Sequence, residues 1–172
     1  MMLEIKTADE LIDPELEARW AARRAARQTD VLRQILRIFI DRGGPVPVDA
    51  ITAAFPDHQP EAVRDSLIAL DEEDLIQIRE GRVDIAYPFS AIPTSFVAHL
   101  LDGRERYACC AIDALGIAPM LGRRMHIRSE CHHCRTVLEF SVDPGGPGSD
   151  ADGVMVWVGK HAKGQRRIAT SL

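Results

Sequence analysis

Apolar residues recur at helical spacing through Val31, Leu32, Ile35, Leu36, Phe39 and Ile40, after a Thr29-Asp30 start signal and before a Gly43-Gly44 stop. This predicts a helix. Pro47 to Ile51 begins a short second helix ending near Phe55-Pro56, and Gln59-Pro60-Glu61 opens a third, with Val63, Leu67 and Leu70 three to four residues apart. The pattern then changes to two short β-like runs, Leu75 to Ile78 and Val83 to Ala86, around the turn Arg79-Glu80-Gly81-Arg82. Three helices followed by a hairpin is the order of a winged helix, a helix-turn-helix variant. Upstream, Thr7 and Glu10 have the spacing of a capping box, and Asp13-Pro14 is a second helix start. Arg19, Arg23, Arg24 and Arg27 crowd the stretch that follows. It reads as a solvated arm or a helix packing through Leu16 and Trp20, with a nucleic-acid or acidic-partner arm as the alternative.

Pro88 to Pro93 reads as a linker. Beyond it, Ser95 to Leu101 and Glu105 to Ala108 flank the turn Asp102-Gly103-Arg104 as a strand pair. Cys110 to Leu115 predicts one or two helical turns. Arg124 to Arg128 and Val137 to Val142 predict two strands joined through Cys131-His132-His133-Cys134, and Val154 to Val158 predicts another after a Gly/Pro-rich loop. The expected fold class is therefore α+β. An N-terminal arm (1–28) precedes a winged-helix-like helical domain (29–87), and a β-rich core with short helices (88–172) stands apart from it.

Composition narrows the function. With 172 residues, 46% of them apolar, the chain has material for a real core. Its mean hydropathy of −0.10 is that of a folded soluble protein. No apolar run approaches the roughly 20 residues that cross a bilayer, and the N-terminus has no signal-peptide core, so the expected location is cytoplasmic, without membrane contact. In a reducing compartment the four cysteines are thiols or metal ligands before they are disulfides. From Gly44 to Ser90 there are three basic and ten acidic residues, a balance of −7. Such a surface repels phosphate, so the helical domain is expected to be a structural module that does not bind DNA.

Two clusters carry chemistry. Cys110 and Asp113 are three residues apart, so on a helix they share a face. A thiolate binds soft metals, and a carboxyl group with a raised pKa can donate a proton beside it. Cys110 is accordingly expected to be solvent-reachable and partly thiolate, helped by a helix N-terminus. The spacing equally suits small core cysteines, Cys109 and Cys110, beside a surface acid. The second cluster, Cys131-His132-His133-Cys134, is either half of a zinc site needing further ligands or a pair of free thiols in a turn. His58, His99, His126 and His161 are scattered and read as structural or solvent-exposed.

The run Arg106-Tyr107-Ala108-Cys109-Cys110-Ala111-Ile112-Asp113-Ala114-Leu115, with Ala118-Pro119-Met120-Leu121-Gly122-Arg123 and Ile127-Arg128-Ser129-Glu130-Cys131 after it, resembles the core of the organomercurial (alkylmercury) lyases. The resemblance starts near Thr29 and is strongest from Glu105 to Pro144. It implies protonolysis of a carbon–mercury bond, with Cys110 as the mercury-binding thiolate and Asp113 as the proton donor. Cys131 maps to a structural cysteine of the family. The resemblance also implies a winged-helix-like N-terminal domain, an organomercurial substrate, no required cofactor, and free thiols or a mercuric reductase as mercury acceptor. The family's second catalytic cysteine lies on a later strand, and the position expected for it falls just beyond Leu172. Cys109, Cys131 and Cys134 are the additional thiols on hand, and non-catalytic binding of mercury, zinc or another soft ion is the alternative function. A single sheet running through both halves would count against the resemblance.

Overall fold

The computed structural model describes residues 5–7, 10, 14, 18 and 29–157. Leu16, Trp20, the four arginines of the arm, and His161 lie outside the described residues. The capping box does form: Thr7 N donates to Glu10 Oε2 at 2.7 Å, and Glu10 N donates back to Thr7 Oγ1 at 3.4 Å.

Helix α1 (Thr29–Arg42) buries Val31, Leu32, Ile35 and Phe39, the residues of its apolar stripe. A two-residue strand β1 (Val46–Pro47) leads into α2 (Val48–Ala53) and then α3 (Pro60–Glu72). Proline suits the first turn of α3 because the N–H it lacks has no intrahelical partner there. Strands β2 (Ile76–Arg79) and β3 (Arg82–Ala86) pair antiparallel, with β1 on the other edge of β3. The acids that end α3 have structural work: Asp71 Oδ1 accepts Ile78 N at 2.9 Å, and Asp74 is buried with φ 59°. Three helices and a hairpin thus form where the pattern predicts them. Strand β1 was missed, because two residues ending in proline leave no alternation to read.

The second half contributes β4 (Phe89–Ser90), β5 (Val97–His99), β6 (Glu105–Ala108), α4 (Ala111–Leu121), β7 (Met125–Glu130), β8 (Val137–Asp143) and β9 (Gly146–Pro147). Sheet order is β1-β3-β4-β6-β5-β7-β8-β9, with β2 also on β3 and all pairs antiparallel. The expected separation of the two halves is therefore corrected. One sheet passes through both, and β4 lies within the segment read as a linker. Prolines flank β4 and hide it, yet its Phe89 is fully buried. A second correction concerns residues 154–157, which pair with no strand among the described residues and expose Met155 and Trp157.

Three contacts fix the halves to each other. Phe39 of α1 and Phe89 of β4 stack with ring centroids 6.3 Å apart, and neither is exposed. Truncating such a ring costs about 3–5 kcal/mol. Gly44 sits between Phe39 and Ala91: a Cβ there would come within 2.6 Å of the Phe39 ring and 2.7 Å of the Ala91 Cβ, so a larger residue forces one of them to shift. Finally, Arg106 of β6 reaches the C-terminus of α1, where Nε donates to Phe39 O at 2.6 Å and Nη2 to Ile40 O at 2.6 Å. Arg104 does the same at Asp41 O. Cations on the last carbonyls of a helix satisfy groups that have no intrahelical donor. Strand β6, which leads into the cysteines, is thereby anchored at its start.

Among the described residues no helix is long and apolar enough to cross a membrane.

Candidate functional site

Strand β6 ends at fully buried Ala108, whose N–H bonds Phe96 O at 2.8 Å and whose carbonyl accepts Thr94 Oγ1 at 2.7 Å. Cys109 is tied next, through its N–H to Pro88 O at 3.0 Å, and its side chain packs with Ile85 and Tyr87. The backbone then turns into α4 with Cys110 as N-cap, in an extended conformation (φ −150°, ψ −178°). Serine, threonine, asparagine and aspartate are the strong caps, and a thiol is a poor substitute. Cysteine at this position therefore gives up capping strength, although its sulfur still accepts from the helix.

That sulfur meets Asp113 twice. It accepts Asp113 N at 3.4 Å, and its S–H donates to Asp113 Oδ2 at 2.9 Å. The helix-face pairing expected from the spacing is present, and both residues are half-buried. Burial, then the hydrogen bond to Asp113, pushes the Cys110 thiol up to about 11, against a downward pull from the backbone N–H groups of Asp113 and Ile112. Burial also raises Asp113 above the usual carboxylate range, opposed by the hydrogen bonds from Cys110. The expectation of a partly ionised Cys110 is therefore corrected: at neutral pH it is a thiol whose proton is already directed at a carboxylate oxygen. Helix-terminal N–H groups do favour the thiolate, but desolvation and the adjacent carboxylate outweigh them.

Cys109 does not join the pair. It is only 5% exposed, and burial drives its thiol far above the ordinary range. Its neighbour Tyr87, between the predicted strand ending at Ala86 and the linker starting at Pro88, carries no signal in the sequence. The Tyr87 hydroxyl is buried with no hydrogen-bond partner among the described residues. Burial first, and then the charges of Asp74, Cys109, Asp113 and Cys110, hold its proton on. Tyr87 packs with Ile85 against Cys109, the residue next to the pair.

The second cluster lies at the β7–β8 turn. Cys131 N donates to Thr136 O at 2.8 Å and Arg135 N to Cys131 O at 2.9 Å, closing a tight turn with Arg135 at φ 61°. Cys131 is half-buried and Cys134 exposed, both as free thiols. Cys134 Sγ lies 3.2 Å from Thr136 Oγ1, and Thr136 foremost, with a smaller contribution from the neighbouring Cys131, holds the Cys134 thiol below its ordinary range. His132 and His133 are exposed. Among the described residues no three of His, Cys, Asp or Glu converge on a metal-binding arrangement, so a tetrahedral zinc ion at Cys131 and Cys134 would need ligands from elsewhere. Of the scattered histidines, His58 packs edge-on to Phe55, and His99 pairs with Glu105 at 3.3 Å beside His126. A cleft of about 360 Å³ between α1 and α2, lined by residues such as Gln34, Ile38, Arg42 and Ala50, has no thiol, acid or histidine in its walls.

Residues 89–172 match the sequence model of the family described as alkylmercury lyase. The chain is 33% identical over 114 residues to an alkylmercury lyase of Staphylococcus epidermidis, covering 66% of this chain and 50% of that protein. It is 31% identical over 112 residues to one of Streptomyces lividans, covering 65% and 49%. The chain thus spans about half the length of the curated relatives it matches. In fold it is similar to a solved structure titled as the mercury-bound form of MerB2, with a TM-score of 0.61, 24% identity, and coverage of 79% of this chain and 66% of that one. The resemblance read from residues 105–144 is borne out. The continuous sheet does not count against it after all.

Proposed function

We propose that this chain, a relative of the alkylmercury lyases through residues 89–172, is built to cleave a carbon–mercury bond by protonolysis at Cys110 and Asp113. The observation that carries the reading is the 2.9 Å contact from the Cys110 thiol to Asp113 Oδ2. It stores one proton between the two groups the reaction needs. As the Cys110 sulfur bonds to the mercury of an organomercurial, its proton passes to Asp113. A second sulfur on the metal polarises the carbon–mercury bond and makes the carbon more basic. Asp113, kept protonatable by burial, gives the proton to that carbon. The hydrocarbon leaves, Hg(II) remains on sulfur, and Asp113 returns to carboxylate, so no electron or proton is left over. Cys109 faces Ile85 and Tyr87, which makes it a poor source of the second sulfur.

The rest of the reading follows from this chemistry. Mercury is substrate and product, and no resident cofactor is required. The acceptor of Hg(II) is a free thiol or a mercuric reductase, which places the protein in the cytoplasm. Residues 29–87 act as a winged-helix-like support without DNA binding, while 88–172 carry the reaction. A non-catalytic soft-metal protein is less well supported, because a pure binding site gains nothing from a buried acid on its thiol.

The test is phenylmercury with an added monothiol in D2O. Stoichiometric benzene carrying a single deuterium is expected. Phenylmercury bound intact, with no benzene formed, overturns the proposal.

A further inference from the structure

The Cys131–Cys134 turn has no part in that chemistry, and its geometry gives it one of its own. Strands β6 and β7 both run antiparallel to β5, so they leave the sheet at the same end. Val97 of β5 is flanked by Tyr107 on one side and Arg128 on the other. Cys110 lies three residues beyond Tyr107, and Cys131 three residues beyond Arg128. Two strand spacings separate those rows, about 10 Å in all. The turn therefore presents a second pair of sulfurs at the sheet end that holds the Cys110–Asp113 pair, with its outer sulfur on Cys134 open to solvent.

The turn is also preorganised for chelation. Its two backbone hydrogen bonds, Cys131 N to Thr136 O and Arg135 N to Cys131 O, close the segment tightly and hold both cysteines on one short turn. The Thr136 hydroxyl, 3.2 Å from Cys134, can donate to the Cys134 sulfur when it is a thiolate. With no third protein ligand among the described residues, the pair suits an ion content with two sulfurs and ill suits one that demands four ligands.

We propose that Cys131 and Cys134 form a second, surface thiolate site that chelates a two-coordinate thiophilic cation, with Hg(II) as the ion it takes over from Cys110. Binding of the ion stands on the turn alone; the role as product acceptor rests on the function proposed above. In the transfer, the Cys134 sulfur bonds to mercury held by Cys110 and an added thiol, and one of those two bonds breaks. The Cys131 sulfur then displaces the other. Two protons leave the turn and two return to the displaced sulfurs, with no change of oxidation state.

The chelate is separated from casual thiol binding by competition. The Cys110→Ser chain is loaded with one equivalent of inorganic Hg(II), then passed through a desalting column in a large excess of a monothiol. A single cysteine loses its mercury to that excess, whereas a two-sulfur chelate retains it through effective concentration. The Cys110→Ser protein is expected to keep one equivalent, and the Cys110→Ser/Cys134→Ser protein to keep none. Cys134 is exposed, so its replacement leaves the fold intact, which near-ultraviolet circular dichroism checks. Cys131→Ser, at a half-buried position, is a second variant expected to lose the ion. Retention by the Cys134 variant, or loss of mercury from Cys110→Ser alone, overturns the site. Neither outcome depends on carbon–mercury cleavage. If the site holds but Cys134→Ser in the otherwise unchanged chain leaves mercury release after benzene formation unaltered, the acceptor role is overturned.

Discussion

Replacing Asp113 with alanine should make Cys110 ionise more easily. Three effects hold the thiol up at about 11: burial, which the substitution leaves largely in place, and the hydrogen bond to Asp113 and the charge of that carboxylate, both of which it removes. The backbone N–H of residue 113 still points at the sulfur and still favours the thiolate. The folded-state pKa therefore moves down from about 11 toward, but not to, the ordinary thiol value. At pH 8 roughly one parent molecule in a thousand carries the thiolate, and each unit of pKa lost multiplies that fraction about tenfold. A less basic thiolate is also a weaker nucleophile, so the net gain in alkylation is roughly three- to fourfold per unit. The assay is the rate of iodoacetamide labelling at Cys110, followed by peptide mass spectrometry from pH 7 to 11. In the parent the rate should climb through the whole range, and in Asp113→Ala the midpoint should shift to lower pH. A midpoint that stays in place or rises would show that Asp113 does not hold the Cys110 proton.

Other outcomes follow from the same structure. Cys110→Ser should abolish both retention of phenylmercury at the Cys110 site and benzene release, measured by bound mercury and by gas chromatography. Phe89→Ala should lower folding stability by about 3–5 kcal/mol, read from urea melts, because it opens a cavity beside Phe39 where both halves of the chain meet; a loss under 1 kcal/mol would contradict a shared core. The acidic segment from Gly44 to Ser90 should leave the protein without measurable affinity for duplex DNA at physiological salt. Salt-sensitive binding lost on changing Arg64 and Arg79 would contradict the structural-module reading.

The helices were legible because α1 and α3 are amphipathic over three or more turns, and a 3.6-residue period is a strong signal at that length. The hairpin β2–β3 was legible because Glu80-Gly81 marks its turn. Strands β1, β4 and β9 were not, since two residues carry no period and each borders or contains proline. Losing β4 also lost the continuity of the sheet, and so produced the expectation that the hairpin stands apart from the strands of the second half. At the site, the three-residue spacing placed Cys110 and Asp113 together correctly. It could not give the ionisation of Cys110, which depends on how deeply the folded chain buries the thiol. Helix α4 outran its predicted one or two turns because Pro119 costs only one late hydrogen bond, and Gly122, at φ 65°, closes the end through bonds to Pro119 O and to Ala118 O from Arg123.

The central claim is that Asp113 delivers to carbon the proton it takes from Cys110. A single-turnover experiment with phenylmercury and an added monothiol tests it, with bound mercury and released benzene followed in the same sample. General acids contribute about 10²- to 10⁴-fold to such steps. The Asp113→Ala protein should therefore bind mercury as the parent does and release benzene at least a hundredfold more slowly. Benzene released by Asp113→Ala as fast as by the parent would contradict the account.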